Sequence, residues 1–227
     1  MTRWSLVLAG RGANSGAALD QLCRIYWPPL YAYLRRDGKS PEDAQDLVQS
    51  FFARLLARED FNTLSADKGR FRAFILTALR HHVIKQAEYD HALKRGGGKP
   101  AVPLDLADAE GLCGSDLGAE SPEKAFARRW AQTALGRAYL RLREEQEVRG
   151  RGSLFTALAP HFEFATNEDY RGVAALTGMK WETVRVTAFR LRRRLGDLFK
   201  AEIAETLEPG ADVEAEVREL LSTLSGN

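Results

Sequence analysis

The chain has 227 residues, with 33 Lys and Arg against 31 Asp and Glu for a formal net charge of +2, and 44% of its positions are hydrophobic. That apolar content excludes a wholly disordered chain, the two cysteines Cys23 and Cys113 exclude a disulfide scaffold, and the lack of any CxxC pair argues against structural zinc. Residues 6–10 are too short and too poorly flanked for a signal peptide, and no run approaches the ~20 apolar residues of a membrane span, so a cytoplasmic protein with no membrane partner is expected.

Helical periodicity runs through almost all of the chain, and no strand-like alternation of useful length occurs. Residues 19–26 and 29–36 read as two short helices, with Trp27-Pro28-Pro29 expected to force a break between them. Ser40-Pro41-Glu42-Asp43 carries a helix-start signature: a hydroxyl cap, proline in the first turn, and carboxylates at the positive end of the dipole. Behind it Ala44, Leu47, Val48, Phe51 and Leu55 recur at helical spacing to about residue 58, which groups Asp43, Asp46 and Ser50 on the opposite side. After a loop through Asn62 and Asp67, the residues Phe71, Phe74, Ile75, Ala78 and Leu79 form the apolar stripe of a helix reaching towards Lys94. That stripe makes Phe71 and Phe74 core residues rather than stacking platforms.

From residue 95 to 121 the periodicity stops in a segment rich in glycine, including Gly96-Gly97-Gly98, and this reads as a linker. Ser121-Pro122-Glu123 repeats the helix-start signature, and Phe126, Trp130, Ala134 and Leu142 line a long helix that ends near Gly150. A shorter helix follows over 153–161. Asn167 is placed to cap a helix carrying Tyr170, Val173, Ala174 and Leu176, which Thr177-Gly178-Met179 breaks. A second helix begins at Trp181 with Val184, Ala188, Leu191 and Leu195 inward. Small Ala174, a glycine at the turn and an apolar residue just after it are what two steeply crossing helices require, so this segment is expected to be a helix-turn-helix. Its second helix is expected to expose Arg185, Arg190, Arg192, Arg193 and Arg194, which suit phosphates and, near the helix start, base edges. The expected fold is all-α, with two helical domains.

Local charge is far from even. Residues 68–95 hold seven basic and two acidic residues, residues 185–200 six basic and one acidic, and residues 104–123 six acidic and none basic. Two basic segments joined by an acidic one suggest two anion-binding surfaces on a tether.

Two sets of residues resemble a known family in the right order. Tyr170-Arg171-Gly172-Val173-Ala174-Ala175-Leu176-Thr177-Gly178-Met179, then Glu182-Thr183-Val184-Arg185 and Phe189-Arg190-Leu191-Arg192, resemble region 4 of extracytoplasmic-function (ECF) sigma factors of the sigma-70 superfamily. The segment from Ser40 through Asp46 to Phe52 resembles region 2.2, and Gly69-Arg70-Phe71-Arg72-Ala73-Phe74 onward to Arg80 resembles regions 2.3 and 2.4. Trp27-Pro28-Pro29 and Arg95-Gly96-Gly97-Gly98 are similar to a planctomycete-type ECF-like group.

The resemblance implies a promoter-specificity subunit. Region 2 (residues 1–95) would bind core polymerase and the -10 element, residues 96–121 would be the acidic linker, and region 4 (residues 122–205) would bind the -35 element. Residues 206–227 would add an amphipathic extension with Val213, Val217, Leu220 and Leu224 on its apolar stripe. The resemblance assigns Asp43, Asp46 and Gln49 to the β′ clamp coiled coil of RNA polymerase, with Ser50 where a carboxylate is usual. It assigns Arg70, Arg72, Arg80, His81 and Lys85 to the -10 DNA, with the loop 61–68 helping to hold a flipped base. It assigns Arg185, Phe189, Arg190 and Arg193 to the -35 DNA. Further partners it implies are the β flap and, as regulators, an anti-sigma factor or a Ser/Thr kinase.

No catalytic constellation competes with this. His81, His82, His91 and His161 lack ligand spacing, neither cysteine sits beside a recognisable base, and Gly96-Gly97-Gly98-Lys99 has no preceding strand, so no cofactor, metal or catalytic residue is expected. Two other readings remain open: a helix-turn-helix regulator acting on duplex DNA without polymerase, and a helical adaptor with no DNA role.

Overall fold

A computed structural model describes residues 15–57, 70–93, 120–162, 170–208 and 210–224. They are all-α, with eight α-helices: α1 (Ser15–Arg36), α2 (Pro41–Ala57), α3 (Phe71–Leu93), α4 (Pro122–Val148), α5 (Gly152–Leu158), α6 (Arg171–Thr177), α7 (Trp181–Ala204) and α8 (Val213–Leu224). A 3-10 turn, Ala159–His161, follows α5. The expected loop 61–68, most of the linker, the Gly96-Gly97-Gly98 run, Cys113 and the Asn167 cap lie outside the described residues.

The chain forms two compact units. The first comprises residues 1–133 and 204–227, the second residues 134–203. The division falls inside α4 and at the end of α7, whereas the sequence expectation drew its boundaries at 121/122 and 205/206.

In the first unit, α1 is one continuous helix with Pro28 and Pro29 inside it, which corrects the expected break. Each proline lacks an N–H and crowds the preceding turn. Against that cost stand Tyr26, Leu30 and Leu34, all fully buried on one face with Ile25 and Tyr31 beside them. A burial of ~1.5–3 kcal/mol per large apolar side chain holds the helix straight through, since a break would swing one set out of the core. Trp27 stacks on Phe52 of α2 at 6.3 Å, and Tyr26 meets the edge of Phe71 of α3 at 5.2 Å. Ala44, Val48, Phe51, Phe52, Ile75 and Leu79 complete this core.

The expected caps form twice. The Ser40 hydroxyl accepts from the Asp43 amide at 3.0 Å, and the Ser121 hydroxyl accepts from the Lys124 amide at 3.3 Å. Glu120, at the end of the linker, pairs with Arg128 at 2.7 Å and with Arg36 at 3.7 Å. Helix α4 contributes Phe126 and Trp130, and the C-terminal segment contributes Leu207, Val217 and Leu220. The Phe71 amide, at the start of α3, donates to the Thr206 carbonyl at 3.1 Å, so the segment before α8 closes off the N-terminus of α3.

The second unit packs Leu142 of α4, Phe155 and Leu158 of α5, Val173 of α6, and Val184, Ala188, Leu198 and Ile203 of α7. Tyr139, Phe155 and Phe162 form an aromatic cluster with centroids 5.2 to 6.4 Å apart. Gly178 closes α6 with φ 66°, a left-handed conformation that lets α7 begin three residues later. Glu202 is 1% exposed and accepts from Arg137 at 2.9 Å and Arg141 at 3.0 Å, tying α7 to α4.

Candidate functional site

Three polar faces carry the residues singled out by sequence. On α2, the apolar stripe turns inward and leaves Asp43 and Asp46 exposed, with Gln49 half-buried. All three line one groove of about 640 Å³ between α2 and α3, together with Lys39 and Gln86. Ser50 lies in the same groove, and its hydroxyl meets His82 Nε2 at 2.8 Å and donates to the Leu47 carbonyl at 3.2 Å. His82 is buried; desolvation first, then the charge of Arg54, holds its ring below the ordinary histidine value. The neutral ring this favours is the form that suits a helix-helix contact, so Ser50 is committed to packing α2 on α3.

The α3 face departs from expectation at its arginines. Arg72, assigned to DNA phosphates, is 7% exposed: its guanidinium lies 5.4 Å over the Trp130 ring and pairs with Glu216 and Glu219 of α8. Burial pushes Arg72 below and Glu216 above their usual values, and the mutual attraction opposes both shifts. Contact between the two groups keeps them an ion pair whose desolvation is largely offset rather than strongly stabilising. Arg70 is half-exposed and pairs with Glu216 at 3.0 Å and Glu219 at 3.1 Å. Arg80 donates to the Tyr33 hydroxyl at 2.9 Å, lies over that ring, and pairs with Glu123. The hydrogen bond to Tyr33 is the main reason its guanidinium is held above the usual range. The exposed Arg80–Glu123 pair is worth ~0–1 kcal/mol, so Glu123 is readily exchanged for another anion.

His81 and Lys85 are exposed as expected. Ile84 and Tyr89 are 57% and 58% exposed beside them. His81, Lys85 and Tyr89 follow one another at four-residue spacing, so a basic and aromatic stripe runs along one side of α3. The sequence cue for Tyr89 is an aromatic outside the apolar stripe, four residues beyond Lys85.

On α7, Arg185, Phe189, Arg190 and Arg193 are all exposed, and their spacing places them on one helix face. The Arg185 guanidinium lies 5.2 Å over the Trp181 ring, and Phe189 is 65% exposed. Arg192 and Arg194, expected on the same open face, are engaged elsewhere. Arg192 donates to the Tyr170 hydroxyl, and Arg194 forks onto Glu145 at 3.0 and 2.6 Å. That hydrogen bond holds the Glu145 carboxyl below its ordinary value.

Among the described residues no group of three His, Cys, Asp or Glu side chains is placed to hold a metal, and no helix is long and apolar enough to cross a membrane. Desolvation first, then Asp20, pushes the Cys23 thiol up to about 11, which makes it a poor nucleophile at neutral pH.

The family model for sigma-70 region 2 matches residues 22–90, which covers most of α1, all of α2 and α3 as far as Asp90. The chain therefore carries a sigma-70 region 2 domain, and the match agrees with a transcription factor that has no catalysis of its own. Helices α4 to α8 lie beyond the match. Neither the search of curated proteins nor that of solved structures found a match.

Proposed function

We propose that the protein is an ECF-type sigma factor that acts in the cytoplasm, binding core RNA polymerase and directing it to promoters. The region 2 match over residues 22–90 carries the reading. The α2 groove, with Asp43 and Asp46 at its edge and Gln49 in its wall, presents carboxylates to a basic partner, here the β′ clamp coiled coil. Opposite charge across such a contact raises the on-rate and fixes register.

Helix α3 would then meet the -10 element. His81 and Lys85 would face its backbone, and Tyr89 would offer a stacking surface for an unpaired base of the opened strand. Helices α6 and α7 serve as the helix-turn-helix of region 4. Arg185, Phe189, Arg190 and Arg193 form its reading face: arginine forks suit guanine, and Phe189 suits a thymine methyl. The β flap, an anti-sigma factor and a Ser/Thr kinase belong to the same proposal as partners.

Reversing both Asp43 and Asp46 to Lys tests it. Both side chains are exposed, so far-UV helicity should be unchanged while copurification with core polymerase and promoter-directed transcription are lost. Equal polymerase binding by the double variant and the parent would defeat the assignment. Tight duplex binding by the free protein, with no association with core enzyme, would replace it with a regulator that acts alone.

A further inference from the structure

The carboxylates that meet Arg70 and Arg72 come from far along the chain, and they occupy these arginines as an anion from outside would. Glu216 and Glu219 sit on α8, and each arginine contacts both of them. The arrangement has an inner and an outer half. Arg72 and Glu216 are 8% and 2% exposed at the side chain, whereas Arg70 and Glu219 are 47% and 55% exposed. The α8 segment is held in place by buried Val217, Leu220, Leu207 and Thr206, with the Thr206 carbonyl on the Phe71 amide.

Glu216 stands in sequence directly before Val217 and four residues before Leu220, on the apolar side of α8. A carboxylate in such a position is costly unless a cation faces it, and the cations that face it belong to α3. Neutralising the start of α3 is thus built into the amphipathic pattern of α8.

We propose that α8 is an intramolecular stand-in for a nucleic-acid backbone: two of its carboxylates, Glu216 and Glu219, occupy Arg70 and Arg72, and DNA phosphates compete with them for this end of α3. The proposal rests on the reading of α3 as a DNA-facing helix. Competition begins at the outer half, because a phosphate can replace Glu219 at Arg70 while Glu216 stays buried. Arg72 becomes reachable only when α8 lifts, so the inner half sets a second, higher threshold. In the free protein both arginines at this end of α3 are paired with carboxylates, and α3 meets DNA first through His81 and Lys85.

The test uses the full chain and a fluorescein-labelled single-stranded DNA oligonucleotide of mixed sequence, titrated at several salt concentrations. Glu219→Gln should tighten binding by up to about fivefold, the range of an exposed ion pair. It should also steepen the salt dependence by about 0.7 in log-log slope, the increment for one further phosphate on a single strand. Arg70→Ala should weaken the parent less than it weakens Glu219→Gln, and should cancel the gain when combined with Glu219→Gln. A general charge effect would survive Arg70→Ala, so the combination separates the two. Glu219 and Arg70 lie at the exposed edge, so these variants leave the buried Arg72–Glu216 pair and the fold intact.

Unchanged affinity and slope in Glu219→Gln would overturn the proposal. So would Arg70→Ala weakening the parent as much as it weakens Glu219→Gln, since Arg70 would then already be open. Promoter-directed transcription by the parent with core polymerase is scored separately. Its absence would sink the sigma reading and leave the competition result standing, whereas normal transcription with no effect of Glu219→Gln would sink only the competition.

Discussion

Ser50 and His82 share a hydrogen bond of 2.8 Å between α2 and α3, and the other ring nitrogen of His82 is buried with no hydrogen-bond partner among the described residues. A ring in that position resists a proton, and burial accordingly holds it below the ordinary histidine value. The unfolded chain takes up that proton near pH ~6.5, above the pH at which the folded chain does. The contribution of His82 is therefore complete above about pH 6.5 and is lost as pH falls through the lower folded value. Urea midpoints measured from pH 8 to pH 5 should decline below pH ~6.5, and His82→Phe should flatten this component. Ser50→Ala should lower stability by about 1–3 kcal/mol at neutral pH by orphaning the second ring nitrogen. An identical pH profile for His82→Phe and the parent would refute the assignment.

Arg72 and Glu216 set a different expectation. Removing one partner leaves a charge under Trp130 with less compensation, and Glu216→Ala should cost about 3–5 kcal/mol. Replacing both together, Arg72→Met with Glu216→Leu, should restore stability to the parent's level or above, because two desolvated charges give way to apolar packing. Thermal unfolding of the three variants checks this. Additive losses in the double variant would mean that the pair is stabilising in its own right.

Local chemistry explains which parts of this structure could be read from sequence. Ser40 and Ser121 cap their helices through a hydroxyl three residues from the amide it accepts, and Gly178 takes the turn that only a residue tolerant of positive φ enters easily. Helices α2, α3 and α4 follow their apolar stripes. The prolines of α1 misled because their local penalty is set against a core supplied by α2 and α3, which no local window contains. The burial of Arg72 escapes a local reading for a related reason. Arg72 lies within the run of Phe71, Ile75 and Leu76, a position that buries it, but its partner lies 144 positions later at Glu216. The cue was the acid on the apolar side of a helix, visible at Glu216 beside Val217 and at Glu202 beside Ile203; a buried carboxylate requires a cation from elsewhere. On α7 the arginine count was legible, but the division into open and engaged members depended on Tyr170 and Glu145.

The stripe on α3 gives a third expectation. Tyr89 projects an exposed ring four residues beyond Lys85, and stacking of one base on such a ring is worth ~1–3 kcal/mol. Tyr89→Ala should weaken binding of a single-stranded oligonucleotide by that amount, whereas Tyr89→Phe should retain it. Lys85→Ala should instead lower the salt slope by about 0.7 with little dependence on sequence. Equal affinities for Tyr89→Ala and Tyr89→Phe would remove the ring from the DNA-facing stripe proposed for α3.

The last expectation concerns the split among the α7 arginines. Arg185, Arg190 and Arg193 are exposed on one face with Phe189, while Arg192 and Arg194 hold Tyr170 and Glu145. If this face reads a promoter, Arg185→Ala and Arg190→Ala should each reduce duplex affinity by ~1–3 kcal/mol at a guanine they contact with both nitrogens. Lysine at either position keeps the charge but loses the fork, so rescue should be partial, and full rescue by lysine at both would make them phosphate clamps. Arg185 has a further constraint, since its guanidinium lies over Trp181. Trp181→Ala should therefore loosen Arg185 and mimic a weak form of Arg185→Ala, with a smaller loss of discrimination than of affinity. Arg194→Ala should behave in the opposite manner: it breaks an ion pair that is largely exposed, so stability should fall by under about 1 kcal/mol and sequence preference should not move. Footprinting across a set of single-base promoter variants separates these outcomes. The reading face would have to be redrawn if Arg194→Ala altered base preference while Arg185→Ala and Arg190→Ala did not.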